Sequence, residues 1–97
     1  MALYVLLMNL TDQGVKTVKE APGRIQSSMK ALEAMGGKVI AFYATMGDYD
    51  YVGVGEAPND EVVSTFALGL AGQGNVRTKT LRAFTPEQFA GIVKRLP

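Results

Sequence analysis

Apolar and polar positions alternate along the chain with two periods, near 2 and near 3.6 residues, which mark strands and helices respectively. Leu3 to Leu10, within "ALYVLLMNL", is short, apolar at consecutive positions and carries an aromatic ring. That pattern predicts a first strand buried on both faces. In the following "NLTDQGV" Thr11 is placed to cap a helix, with Leu10 and Val15 at the two positions of a hydrophobic staple. One or two helical turns are predicted from Asp12 to about Glu20. Pro22 then interrupts, since proline suits the first turn of a helix and breaks its interior. A longer helix follows, with Ile25, Met29 and Leu32 as its apolar stripe and Gly36-Gly37 as its C-terminal stop.

Lys38 to Met46 and Tyr49 to Ala57 read as two strands joined at Gly47-Asp48, a pair suited to a two-residue type II′ turn. Such a turn pairs Thr45 with Asp50, Ala44 with Tyr51 and Tyr43 with Val52. Thr45, Asp50 and Tyr43 are then expected on one face, and Tyr49, Tyr51 and Phe42 on the other. Pro58 closes the second strand, and Asn59 or Asp60 caps a helix whose apolar face is Val63, Phe66, Ala67 and Leu70. The glycines of "GLAGQGN" predict its frayed end and a loop. Asn75 to Phe84 is a fourth strand carrying Arg77, Lys79 and Arg82. The last helix starts with a capping box, Thr85 with Gln88, has Pro86 in its first turn, and is expected to bury Phe89, Ile92, Val93 and Leu96.

The order is β-α-β-β-α-β plus a C-terminal helix. This is the split βαβ arrangement of a ferredoxin-like α+β fold with an antiparallel four-stranded sheet, in one domain spanning 1–97. Helices cover one face of such a sheet. Yet Tyr4, Leu6 and Met8 on one side of the first strand are matched by Leu3, Val5 and Leu7 on the other. A second apolar face left in water exceeds what monomers ordinarily expose, so a homodimer packed sheet against sheet is expected.

Composition narrows the chemistry. The chain has a net charge of +1 with both signs interspersed, which leaves no electrostatic footprint for a nucleic acid. It contains no cysteine and no histidine. That removes thiolate chemistry, Ser-His triads, a proximal haem ligand and the common zinc and iron arrangements, so neither a metal nor a cofactor is expected. The apolar N-terminal run is too short for a membrane helix and lacks a basic leader, so it reads as a strand rather than a signal peptide, and the cytoplasm is the expected location.

"NLTDQG" after the first strand, "TMGDYD" at the hairpin, "EAPND" before the second long helix and "GNVRTKTLRAFT" near the end together resemble the GYD family. These are small bacterial proteins of the dimeric α/β-barrel superfamily, named for a glycine-tyrosine-aspartate signature. Here the signature is interrupted, as Gly47-Asp48-Tyr49-Asp50. The resemblance implies the ferredoxin-like fold and the dimer. Its wider superfamily includes cofactor-independent monooxygenases, small isomerases and haem enzymes.

The candidate site centres on the hairpin. In one reading Asp50 is a general base, with Tyr43 or Tyr49 donating a hydrogen bond to a small ligand. In the other, Asp50 accepts hydrogen bonds from Thr45 or loop amides and the tyrosines only pack. Arg77 and Arg82 are candidate anion contacts, and Asn9 faces the same end of the sheet. Gly53 and Gly55, opposite Phe42 and Ile40, either lie under those side chains or leave room for a ligand. The function expected is a non-catalytic small-ligand-binding or assembly module that forms a homo-oligomer. The alternative is a cofactor-independent isomerase or monooxygenase using Asp50 as its catalytic residue, with Asn9, Tyr43, Thr45, Tyr49, Arg77 and Arg82 around the ligand.

Overall fold

β1 (Ala2–Leu10) runs through the middle of a four-stranded sheet, and the remaining elements are arranged by how they cover it. The computed structural model describes residues 1–97. After β1 come α1 (Asp12–Lys16), a 3-10 turn (Val18–Glu20) and α2 (Ala21–Ala34). β2 (Lys38–Ala44), β3 (Tyr51–Ala57), α3 (Asp60–Gly72), β4 (Val76–Ala83) and α4 (Pro86–Val93) complete the chain. The strand order is β2-β3-β1-β4, and every neighbouring pair is antiparallel. β3 therefore inserts between β1 and β2, the two strands that α2 connects. The architecture is α+β, a four-stranded antiparallel sheet with four helices.

The period of two in β1 sorts its side chains. Tyr4, Leu6 and Met8 are buried under α2 and α3, where they join Tyr51, Ala57 and Val63 in the core. Leu3, Val5 and Leu7 point to the opposite face, which no helix covers. Ile25 and Met29 of α2 are half-buried and Leu32 is buried, as their spacing requires, with Val63, Phe66 and Leu70 doing the same for α3.

Local signals set several boundaries. Thr11 caps α1 by accepting from the Gly14 N–H at 3.1 Å, and Asn59 caps α3 by accepting from the Val62 N–H at 2.9 Å. The capping box at Thr85 and Gln88 is formed in both directions. Pro22 sits in the first turn of α2, and Gly36, at φ 87°, takes the left-handed conformation that ends that helix.

Five expectations are corrected. β2 and β3 stop at Ala44 and Tyr51, so the connection runs from Thr45 to Asp50 rather than over two residues. Its ends are tied by the Thr45 N–H to the Asp50 carbonyl at 2.8 Å, and by the Thr45 hydroxyl to the Tyr49 carbonyl at 2.6 Å. A register shift between Val39 and Ala41 makes Ile40 a bulge, so Gly55 lies opposite Val39, not Ile40. α3 continues through Gly69 to Gly72, leaving only a short loop in which Gly74 has φ 84°. Finally, Phe89, Ile92, Val93 and Leu96 are exposed rather than buried. α2 and α3 already occupy the helix side of the sheet, and α4 packs substantially on no element of its own chain. Val15 is likewise 56% exposed and forms no closed staple. The Cα radius of gyration, 14.7 Å, exceeds the ~12.5 Å of a compact chain of this length, as a projecting helix demands.

Candidate functional site

The residues singled out around the hairpin fall into three separate places. Asp50 leaves the strand alternation and turns towards β1. Its N–H donates to the Met8 carbonyl at 2.9 Å, and its carboxylate Oδ2 accepts the Leu10 N–H at 2.8 Å. Backbone pairing between β1 and β3 ends at Met8 and Tyr51, so the carboxylate satisfies an amide that the ladder no longer reaches. In this geometry Asp50 fastens the hairpin to the end of β1.

The second place is the face of the sheet opposite α2 and α3. The register sets Asn9 opposite Arg77 and Leu7 opposite Lys79, all on this face. Tyr43, opposite Val52, is 64% exposed there. Tyr49 joins them instead of facing Tyr51: the Lys79 ammonium donates to its hydroxyl at 3.4 Å and lies 5.6 Å from its ring centroid. The expected grouping of Tyr49 with Tyr51 and Phe42 fails because residues 45–50 are irregular, so a period of two no longer assigns faces. Tyr51 and Phe42 do stack, at 5.3 Å between centroids. Thr45 is spent on closing the loop.

Arg82 is the third. It lies on the helix side, opposite Tyr4 at the far end of β1 from Asn9. Its guanidinium stands 4.8 Å from the Phe84 ring centroid and 5.6 Å from that of Tyr4, and it donates to the Leu3 carbonyl at 3.2 Å. Below it the Tyr4 hydroxyl donates to Asp60 Oδ1, which ties β1 to the first turn of α3. That hydrogen bond, with burial and the charge of Asp60 itself, holds the Tyr4 phenol above its ordinary pKa, and Arg82 opposes the shift. The fold thus keeps Asn9 and Arg77 together, places Tyr43 and Tyr49 on their face, and separates Asp50 and Arg82 from them.

The open face has its own composition. Leu3, Val5 and Leu7 of β1, Val52 and Val54 of β3 and Leu81 of β4 form an apolar centre. Lys38, Glu56, Arg77 and Lys79 stand at its margins. Leu81 and Ile40 are each 50% exposed. An apolar centre within a polar rim is a surface composition common at protein interfaces. Periodicity reveals that face in the sequence, whereas the Asp50 and Tyr4 contacts join residues too distant along the chain to leave a pattern.

The sequence profile of the GYD domain matches residues 4–93. This chain belongs to the GYD family. A relative from Thermus thermophilus, named glutamine synthetase and cystathionine beta-lyase binding protein, is 40% identical over 97 residues, covering 99% of each chain. A solved structure, also of a Thermus thermophilus protein, covers 88% of this GYD chain and 95% of its own, with a TM-score of 0.55 at 23% identity. The second likeness is one of fold alone. No helix of this family member is long and apolar enough to cross a membrane.

Proposed function

We propose that this GYD protein is a non-catalytic assembly module, a ferredoxin-like subunit that pairs with a second copy through its open sheet face and engages other proteins as the dimer. The observation that carries this reading is the uncovered apolar centre formed by Leu3, Val5, Leu7, Val52, Val54 and Leu81. Four strands of about seven residues give the face roughly 23 Å by 19 Å, or about 440 Å² in projection. Its accessible area is larger than its projection and moves towards the ~800 Å² per partner of a standard stable interface. The exposed apolar stripe of α4 is a further uncovered surface.

Catalysis at Asp50 finds less support. Its carboxylate is engaged by a backbone amide, and the tyrosines proposed to serve it lie elsewhere. The name of the 40% identical relative supports protein partners for this chain too. Glutamine synthetase and cystathionine beta-lyase from the same host are accordingly the partners to test. Purified protein is passed over each immobilised enzyme, with the α4 variant Phe89→Ser as comparator. Saturable binding of the native protein to at least one enzyme is expected, and binding to neither contradicts the partner half of the proposal.

A further inference from the structure

The core beneath α2 and α3 is not fully closed. A cavity of about 100 Å³ lies between these helices and the sheet, walled by Met8, Ile25, Phe42, Phe66 and Leu70. Gly53 forms part of its floor. A Cβ there would meet Phe42 at 3.6 Å and Met8 at 3.8 Å, ordinary contacts, so glycine leaves empty a space that alanine would fill without strain. Gly55 differs, since a Cβ there would come within 3.0 Å of the Lys38 carbonyl oxygen and its bareness serves packing.

The cavity has a polar lip. Arg24 and Ser28 of α2 and Gln73 beyond α3 line both the cavity and the groove between the two helices, so the interior opens to solvent past them. Arg24 is half-buried. Its Nη1 donates to the Thr17 carbonyl and to the Thr17 hydroxyl, each at 3.1 Å, and both partners are neutral. Ser28 donates to the Arg24 carbonyl at 2.9 Å, which holds this turn of the helix in place. Arg24 thus lines the lip of an apolar void while its guanidinium is bonded only to neutral groups, and the planar fork of a guanidinium matches a carboxylate.

We propose that this cavity binds short aliphatic carboxylates, with the chain among Met8, Phe42 and Phe66 and the carboxylate on Arg24. The size sets the class: a dry core void of about 150 Å³ accommodates benzene, so one of about 100 Å³ holds about four carbons of a chain, and the carboxyl end of a six-carbon acid reaches out through the open mouth towards Arg24. The site lies across the sheet from the open face and does not rest on the assembly reading.

Hexanoate, with hexanamide and acetate as comparators, is titrated into the native protein while methyl NMR signals and the melting temperature are followed. Hexanoate is expected to shift the Ile25, Met8 and Leu70 methyls saturably and to raise the melting temperature. Acetate, lacking the chain, does neither. Arg24→Met weakens hexanoate about tenfold and leaves hexanamide unchanged. Gly53→Ala, which occupies the floor, weakens both. Native protein that shows no saturable shift with hexanoate, or shifts confined to the open-face residues, overturns the proposal whether or not either variant folds. An unchanged hexanoate affinity in folded Arg24→Met overturns the role of Arg24.

Discussion

Replacing Asp50 by alanine removes the only hydrogen-bond acceptor that the Leu10 N–H has, a carboxylate oxygen at 2.8 Å. A hydrogen bond to a charged group contributes about 1.5–3 kcal/mol. Asp50 and Leu10 are both half-buried, so water recovers part of the loss and about 1–2 kcal/mol remains. For a domain of this size each kcal/mol moves the melting temperature by about 4–8 °C, which puts Asp50→Ala roughly 5–15 °C below the native protein. Asp50→Asn keeps an amide oxygen where the carboxylate was and loses only the charge, so about half that drop is expected. Both variants are melted beside the native protein at one fixed concentration, because coupling to a dimer makes the transition concentration-dependent. Amide exchange at Leu10 is read in parallel and quickens in the alanine variant first. If Asp50→Ala melts within about 1 °C of the native protein, the carboxylate does not fasten the hairpin and the reasoning fails.

Two further perturbations probe separate contacts. A Cβ on Gly14 would sit 2.1 Å from the Asn75 carbonyl oxygen, backbone that Thr11 also binds, so Gly14→Ala costs at least about 2 kcal/mol in urea unfolding. Gly23→Ala, with nothing within 4 Å of the added carbon, instead gains roughly 0.5 kcal/mol from helix propensity. Tyr4 binds its proton more tightly in the folded than in the unfolded chain, because its hydroxyl donates to Asp60. The stability this provides is complete below about pH 10 and disappears as pH rises through the higher folded-state value. Tyr4→Phe should flatten the alkaline fall in denaturant midpoint, and an unchanged alkaline slope would refute the assignment.

Much of the fold was legible because it follows from local periodicity. The Ile25-Met29-Leu32 stripe and the Thr85-Gln88 capping box each involve residues within a few positions of one another, and each is found as expected, whereas of the two faces of β1 expected to be buried only that of Tyr4, Leu6 and Met8 is. The pairing of Ala44 with Tyr51 and Tyr43 with Val52 was also correct, since both strands keep a period of two up to those residues. Where that period breaks, inference broke with it. The bulge at Ile40 displaced one partner of Gly55, and the irregular Thr45–Asp50 connection sent Tyr49 to Lys79 rather than to Tyr51. Asp50 was expected to accept hydrogen bonds from Thr45 or loop amides, but the amide it binds is that of Leu10 on β1, 40 positions away. The Arg24 lip gave no sequence signal at all, because an isolated arginine on a helix reads as a solvated charge until the fold sets it over a void. The stripe of α4 is a different case. Its residues were expected to be buried and are exposed, because an amphipathic pattern marks an apolar face without specifying what, if anything, packs on it.

The central claim is that the uncovered sheet face is an interface, and sedimentation equilibrium of the native protein beside Leu7→Lys tests it most directly. Leu7 lies on that face, at the register position flanked by Val52 and Lys79, so a lysine there brings an unpaired charge into the apolar centre while leaving the helix side untouched. The native protein is expected to sediment at micromolar concentration as twice its 10.4 kDa chain mass, and Leu7→Lys as a folded monomer. A native monomer, or a Leu7→Lys variant that remains a dimer, would contradict the account.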